Sequence, residues 1–213
     1  MIFKNIFNIF NRNKQIPSET AISTLRDGFP FVSSDIVNHV ISVIPLKTYN
    51  DVRHPMSGGE IKYLIKKAKV SFPDRLYALE VDNDVFATLD NTEKIILHCI
   101  YSRSCDGYVR EKHIKALFMC DFPDWAIPYI FKVCDEYVVE ILQAVYDNLK
   151  DKNTDNFKSF CAENHASFCL SYQRMVSYWN EYHKNVRCKY KDYIGRKLFF
   201  ECFGANHKTS RSQ

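Results

Sequence analysis

Glycine and proline are scarce in this chain, which has only 6 Gly and 7 Pro among its 213 residues. All-β sandwiches and barrels need many such residues in their frequent turns, and disordered chains fall well below the hydrophobic content of 46% found here. The composition therefore favours helices joined by short connections. At this length, roughly 70% of the surface exposed by the unfolded chain can be buried, so a sizeable core is expected.

The motifs of the common enzyme classes are also missing. There is no P-loop, dinucleotide glycine pattern, HExxH zinc motif, nucleophile elbow or kinase motif set. Ser57-Gly58-Gly59 lacks the lysine of a P-loop, and Ser57 with Glu60 instead predicts a helix start of the capping-box type. Asp82-Asn83-Asp84 begins like a calcium loop, but Phe86 occupies the next ligand position. We therefore expect no enzyme activity, no metal and no cofactor.

The eight cysteines include no CxxC pair and no zinc-like set of four ligands with histidines. Several stand among apolar neighbours in predicted helices, where a reduced thiol behaves as a small hydrophobic side chain. The sequence therefore predicts free thiols in a cytoplasmic protein. Cys161 and His165 are one helical turn apart, and a thiol-dependent hydrolase remains a third functional alternative.

The first residues place apolar side chains along one broad side of a helix, at Ile2, Phe3, Ile6, Phe7, Ile9 and Phe10. They lack the continuous apolar stretch and the cleavage site of a signal peptide, and no segment approaches the roughly 18 apolar residues of a membrane span. We predict that residues 1–14 form an amphipathic helix docked on the core. Peripheral membrane contact through residues 1–14 is the alternative.

Helix start and stop signals follow one another closely along the rest of the chain. Ser18, Ser34 and Asp90 are predicted to begin helices, and Pro45 and Gly204 to follow helix ends. Residues 76–89 are ambiguous between broken helical turns and one short hairpin. These signals predict an all-α fold, a single irregular bundle of about nine or ten helices. Residues 1–204 would form one domain, followed by a disordered polar tail over residues 205–213.

The longest predicted helix runs from Pro128 to Leu149. At 100 degrees per residue, its polar side chains fall on one narrow stripe, consisting of Lys132, Glu136, Glu140, Gln143 and Asp147. The apolar residues occupy the wide remaining arc, so this helix should contact neighbours on two sides.

Charge is unevenly distributed, although the total is only +4. Residues 184–213 contain eight basic and two acidic residues, a net charge of +6, which leaves −2 for residues 1–183. Residues 121–155 have eight acids against three lysines, and residues 74–93 have six acids against Arg75, so each segment has a net charge of −5. We expect such acidic surfaces to repel nucleic acid and attract a basic protein, and the alternative is a solvated face that only confers solubility.

A helical, motif-free chain with acidic surfaces looks like the bacterial immunity proteins that inhibit basic, nuclease-type toxins. The resemblance lies in this general profile and in no defined segment. It implies a binding protein that neutralises a protein partner. The residues expected to bind that partner are Asp82, Asp84, Asp121, Asp124, Glu136, Glu140 and Asp147, with Trp125 and Tyr129 as aromatic anchors. For Trp125, a core position is the alternative.

The basic C-terminal stretch supports a second function. Nucleic acid would contact Arg187, Lys189, Lys191, Arg196 and Lys197, with aromatic side chains interleaved. A solvated terminal helix whose basic residues complement its dipole is the competing interpretation.

Overall fold

The computed structural model describes residues 18–45, 48–49, 52–53, 56–185 and 189–206. This part of the chain is mostly helical but also contains antiparallel strands, so the all-α prediction is confirmed only in part. The predicted helix over residues 1–14 and most of the predicted tail lie outside the described residues. Ala205, which was assigned to that tail, is instead buried, and its N–H donates to the carbonyl of Phe199.

Ten α-helices are found in the described ranges: α1 (Ser18–Arg26), α2 (Ser34–Val43), α3 (Asn83–Thr88), α4 (Asn91–Tyr101), α5 (Gly107–Phe118), α6 (Ile127–Val133), α7 (Val139–Leu149), α8 (Asp155–Glu163), α9 (His165–Tyr178) and α10 (Ile194–Lys197). Turns of 3-10 helix cover Asp124–Ala126 and Tyr190–Asp192, and π-helical turns cover Trp179–His183 and Leu198–Cys202. The strands are β1 (Thr48–Tyr49), β2 (Val52–Arg53), β3 (Met56–Ile65) and β4 (Ala68–Leu76).

Strands β3 and β4 form a long antiparallel hairpin where a capping box at Ser57 and Glu60 was predicted, and that prediction is wrong. The buried residues Tyr63, Ile65, Val70 and Phe72 alternate with more exposed ones, which gives the hairpin one buried face. Of the two alternatives left open for residues 76–89, the short hairpin does not form, because β4 ends at Leu76 and helix α3 covers Asn83–Thr88.

The tip of the hairpin is an unusual turn, because Lys66 and Lys67 both have positive φ angles of 49° and 68°. This is the φ pattern of a type I′ turn, which usually contains Asn and Gly. The Glu163 carboxylate at the end of α8 accepts hydrogen bonds from both lysine amides, at 2.9 and 2.7 Å. The Asn164 amide bonds both the N–H and the carbonyl of Leu64 at 2.7 Å. Helix α8 therefore holds a turn that the lysines do not favour.

Helix α4 begins as predicted, with a capping box between Asp90 and Glu93. Asp90 accepts a hydrogen bond from the Glu93 amide, and the Glu93 side chain accepts one from the Asp90 amide. Every residue from Ile95 to Tyr101 is buried, so this helix lies within the core. Gly204 ends the last helical segment with a φ of +81°, a conformation that favours glycine.

The predicted single helix from Pro128 to Leu149 is wrong, because α6 and α7 are separate helices with a break over residues 134–138. The break turns Asp135 and Glu136 into the interior, and only 3% of each residue is exposed. Lys132, predicted on the exposed stripe, is buried as well.

The core runs through the described chain from Leu25 in α1 to Ala205. Phe131 in α6 lies near its centre, fully buried, with its ring centroid within 6.4 Å of five other aromatic rings. Those rings come from β3, α8, α9 and the last helical segment: Tyr63, Phe160, Phe168, Phe199 and Phe203. The core thus joins the hairpin to the helices.

Candidate functional site

Three of the residues predicted to bind a partner lie in the interior. Trp125, Tyr129 and Glu136 have exposed fractions of 9%, 1% and 3%. The Trp125 and Tyr129 rings both pack against Phe29, at centroid distances of 5.5 and 5.3 Å. The prediction that these two rings are surface anchors is therefore wrong, and the alternative core position of Trp125 is confirmed.

The predicted acidic residues that remain outside do not form one stripe. Asp82 and Asp84 are exposed at the start of α3, and Asp121 is exposed in the connection after α5. Asp124 is only partly exposed and pairs with Lys66 at the hairpin tip, with Nζ 2.8 Å from Oδ2. Hydrogen bonds from Lys66 and Asn156 lower the pKa of Asp124. Its charge is thus largely neutralised within the chain.

Glu140 and Asp147 share one surface, a groove of about 440 Å³ between α5 and α7. Its lining contains three carboxylates and one ammonium group, and consists of Glu111, Lys115, Val139, Glu140, Gln143, Ala144 and Asp147. A hydrogen bond from Gln143, followed by one from Lys150, lowers the pKa of Asp147 and keeps it ionised at neutral pH. Glu140 is exposed and forms no ion pair with any described residue, so its carboxylate is available to a basic group.

Two large apolar side chains lie at the ends of α5, Tyr108 in its first turn and Met119 directly after its last residue. Tyr108 and Met119 are 85% and 86% exposed, the highest values among large apolar side chains in the described ranges. Residues 108, 111, 115 and 119 are three or four positions apart and therefore follow one face of the helix. Tyr108 and Met119 thus stand at the two ends of the stripe that contributes Glu111 and Lys115. We call this surface the α5–α7 groove.

A second arrangement was not predicted at all: a connected network of eight charged side chains, which we call the arginine cluster. Its acids are Asp74, Asp135 and Glu136, and its bases are Arg75, Arg103, Arg110, Lys132 and Arg174. They come from β4, α5, α6, α9 and the connections after α4 and α6.

Glu136 is the centre of the arginine cluster, since three arginines converge on its carboxylate. Arg75 and Arg103 approach Oε1 at 3.0 and 3.2 Å, and Arg110 approaches Oε2 at 3.0 Å. Burial lowers the pKa of Arg103, although Glu136 offsets part of that effect. This convergence gives the buried Glu136 carboxylate three counter-charges, although its Oε2 accepts no hydrogen bond from the described residues.

Lys132 connects the two remaining acids of the arginine cluster. Its Nζ lies 3.4 Å from Asp74 and donates to Asp135 at 2.8 Å. Asp135 also accepts hydrogen bonds from Ser171 and Arg174 of α9, each at 3.0 Å. No sequence motif predicts this network, because its members come from separate parts of the chain.

Three tyrosines lie beside the arginine cluster and form what we call the tyrosine face. The rings of Tyr137, Tyr178 and Tyr182 are 6.0 to 6.3 Å apart between centroids. Tyr137 and Tyr182 are 56% and 55% exposed. Burial raises the pKa of Tyr178, which lies within electrostatic reach of Asp135, Arg174, Glu136 and Arg75.

A buried histidine pair links α4 to α5. The Nδ1 atoms of His98 and His113 are 2.8 Å apart, and His113 Nε2 lies 2.9 Å from Glu80 Oε1. Since the ionised Glu80 carboxylate only accepts, His113 Nε2–H donates to it, and His113 Nδ1 then accepts from His98 Nδ1–H. Burial, followed by the charges of His113, Lys112 and Lys94, lowers the pKa of His98 to about 4. The pair is neutral at pH 7.

The cysteines do not form a recognisable catalytic site in the described residues. Cys161, paired with His165 in the sequence interpretation, is buried, and burial raises its pKa far above the ordinary value. The His165 ring instead lies 3.7 Å from Cys169 Sγ. In the described part, no carboxylate accepts a hydrogen bond from His165, and an orienting group of this kind is what a Cys-His nucleophile pair usually has.

The basic C-terminal residues differ in how exposed they are. Lys189 and Lys191 are exposed, whereas Arg196 packs over the rings of Phe200 and Tyr190, 4.3 and 5.7 Å from their centroids. Lys197 is half-buried, and Arg187 lies outside the described residues. Arg196 is therefore occupied by intramolecular cation–π contacts.

Between the hairpin and the first two helices lies a cleft of about 740 Å³, larger than the α5–α7 groove. Its lining mixes apolar and charged side chains from α1, α2, β3 and β4, including Arg26, Phe29, Val37, Lys62 and Tyr63. In the described ranges, no three Cys, His, Asp or Glu side chains converge as metal ligands. None of the helices described is both long and apolar enough to cross a membrane.

Comparison with known proteins gives no relative: no family model, no curated protein and no solved structure matches the chain.

Proposed function

We propose that this protein is a non-catalytic binding protein that holds a basic protein partner on the α5–α7 groove. The observation that carries the proposal is the combination of an acidic groove with two almost fully exposed apolar side chains, Tyr108 and Met119, on the same helix face. Large exposed apolar side chains bordered by polar ones are typical of protein interaction surfaces.

The charge of the groove favours a basic partner. Lys115 neutralises Glu111 at 2.5 Å, and Lys150 at the edge pairs with Asp147 at 3.0 Å. Of the three carboxylates that line the groove, Glu140 is the one without an ion pair among the described residues. A lysine or arginine of the partner would bond Glu140 while apolar groups cover Tyr108 and Met119. Complementary charge of this kind also accelerates association at low salt.

The experiment compares three versions of the purified full chain as baits in a cell extract, with quantitative mass spectrometry of the captured proteins. The test variant is Tyr108→Ser/Met119→Ser/Glu140→Lys. The control is Phe31→Ser/Leu170→Ser, which removes two exposed apolar side chains elsewhere. Because each anchor of an interface contributes up to about 2 kcal/mol, the test variant should lose a basic protein that both other baits retain.

That loss should also be reproduced by raised salt, since the contact with Glu140 is electrostatic. Identical capture by wild type and the test variant would refute the proposal. A basic nuclease-type toxin is the specific partner that the immunity-protein profile suggests. For that partner, adding the purified wild-type chain should abolish cleavage of nucleic acid, and adding the test variant should not.

A further inference from the structure

The arginine cluster contains more positive than negative charge. Five cationic side chains share three carboxylates, which leaves a surplus of two positive charges among the described residues. Taking charge out of water costs several kcal/mol per ion unless a partner compensates for it. In the described part of the chain, the buried Nε atoms of Arg103 and Arg110 have no hydrogen-bond partner, and neither has the acceptor Glu136 Oε2. The cluster is thus a place where a further anion would be stabilised.

Solvent reaches the arginine cluster through two of its arginines. The side chains of Arg75 and Arg174 are 25% and 46% exposed, whereas those of Arg103 and Arg110 are buried. A guanidinium has five N–H donors, and the hydrogen bonds made by Arg75 and Arg174 use only one terminal nitrogen of each. Within the described ranges the other nitrogens of these two guanidinium groups make no hydrogen bond, so their N–H groups are available to an external anion such as a phosphate.

The tyrosine face continues from these arginines along α9. Arg174, Tyr178 and Tyr182 are four residues apart, and the contact between the two tyrosine rings shows that they lie on one side. Tyr137, which lies in the break between α6 and α7, contacts both of these rings. The surface thus combines cationic donors with two half-exposed rings, and none of its residues lines the α5–α7 groove.

We propose that this surface binds a nucleotide, with its phosphate on Arg75 and Arg174 and its base stacked on Tyr137 and Tyr182. Arginine donors match phosphate oxygens in geometry and charge, and the faces of tyrosine rings accept a flat base of any identity. The phosphate brings the negative charge that the three carboxylates of the cluster do not supply. The nucleotide is either free in solution or a unit of a single-stranded nucleic acid.

The test is calorimetric titration of the purified full chain at low ionic strength with adenosine monophosphate, adenosine and inorganic phosphate as separate probes. Adenosine monophosphate should bind about tenfold more tightly than either of the other two, because only it engages arginines and rings together. A short single-stranded oligoadenylate is the fourth probe. Tighter binding of the oligoadenylate assigns the site to a nucleic-acid strand, and equal binding assigns it to free nucleotide.

Two variants test the two halves of the site separately. Arg174→Gln removes a phosphate contact and Tyr182→Leu removes a stacking ring, and each should weaken binding of adenosine monophosphate about tenfold. Arg26→Gln and Phe31→Leu remove an exposed arginine and an exposed ring elsewhere, and should change nothing. Thermal melts establish that each variant is folded, and the half-exposed Tyr182 can be replaced without opening the core.

Three results would overturn the inference. The first is no binding of adenosine monophosphate at millimolar concentration. The second is unchanged binding by both Arg174→Gln and Tyr182→Leu. The third is inorganic phosphate binding as tightly as the nucleotide, which would mean that the tyrosine face takes no part.

Discussion

Glu136 shows how much can depend on one side chain. Its carboxylate is the shared counter-charge of Arg75, Arg103 and Arg110, two of which are buried. Removing one partner from a buried ion pair is far more damaging than replacing the whole pair, because the remaining charge stays buried without compensation.

We therefore predict that Glu136→Gln lowers the free energy of unfolding by about 3 to 5 kcal/mol. The matched control is Glu140→Gln, the same change four residues later at an exposed position, which should cost less than about 0.5 kcal/mol. Urea denaturation followed by circular dichroism measures both. Equal stabilities of the two variants would show that the arginine cluster is solvated.

The pair of His98 and His113 makes stability depend on pH. An unfolded histidine has its ordinary pKa of 6.5, whereas burial lowers that of folded His98 to about 4. The unfolded chain therefore binds more protons in this range, and stability falls as the pH falls. The contribution is fully present above pH 6.5 and is lost progressively on the way to pH 4. Burial also lowers the pKa of His113, so this residue adds to the loss of stability at low pH.

Replacing His98 by Gln should remove the contribution of His98 to the pH dependence of stability. The glutamine still offers an N–H donor to His113. Between pH 7 and pH 4.5, wild type should lose up to about 3 kcal/mol more of its free energy of unfolding than the variant loses. His165→Gln, at an exposed position on α9, should follow the wild-type curve. Parallel curves for wild type and His98→Gln would contradict the buried, neutral state of the pair.

At the scale of secondary-structure elements, the turn between β3 and β4 has an unfavourable backbone conformation. Left-handed backbone costs a residue with a side chain about 1 to 2 kcal/mol, and Lys66 and Lys67 both adopt it. The hydrogen bonds from their amides to Glu163 offset that cost. Residues that prefer this conformation should therefore strengthen the turn.

The double variant Lys66→Asn/Lys67→Gly should raise the free energy of unfolding by about 1 kcal/mol, since Asn-Gly is the preferred pair for this turn. Lys69→Gly, two residues later in β4, should lower it by about 0.5 to 1 kcal/mol, because glycine weakens a strand. Thermal denaturation shows whether each variant is more or less stable than wild type. Destabilisation by both variants would contradict the turn geometry.

The elements that sequence patterns predicted correctly are those defined by local chemistry. Asp90 with Glu93 and the stop at Gly204 needed no information from elsewhere in the chain. The hairpin was missed because its turn lacks glycine and is held by Glu163, a residue about a hundred positions away. The break before α7 was missed because the three arginines that contact Glu136 come from other parts of the chain. Because Glu136 is buried, only Glu140 and Asp147 remain at the surface among the acidic residues predicted on the polar stripe of the long helix.

At the scale of the whole molecule, one core connects early and late parts of the chain. Trp125 packs against Phe29 after α1, whereas Trp179 lies against Tyr190 near the last helices, 4.9 Å between centroids. Phe131 bridges the two regions through rings of the hairpin and of the C-terminal segment. Continuous packing of this kind favours a single cooperative transition.

The two tryptophans can report on that transition separately. In Trp125→Phe the remaining fluorescence comes from Trp179, and in Trp179→Phe it comes from Trp125. Within each variant, fluorescence and circular dichroism should give the same urea midpoint, because both regions unfold together. A fluorescence midpoint that precedes the circular dichroism midpoint in either variant would indicate that the two regions unfold independently.

The fastening of the hairpin by Asn164 has a consequence for biosynthesis. Leu64 leaves the ribosome 100 residues before the side chain that pairs with its backbone. At translation rates of 5 to 20 residues per second, the nascent hairpin waits about 5 to 20 s for that side chain to be made. During this interval its strands must stay unfolded or be shielded by a chaperone, because the side chain that holds the hairpin in place has not yet been made.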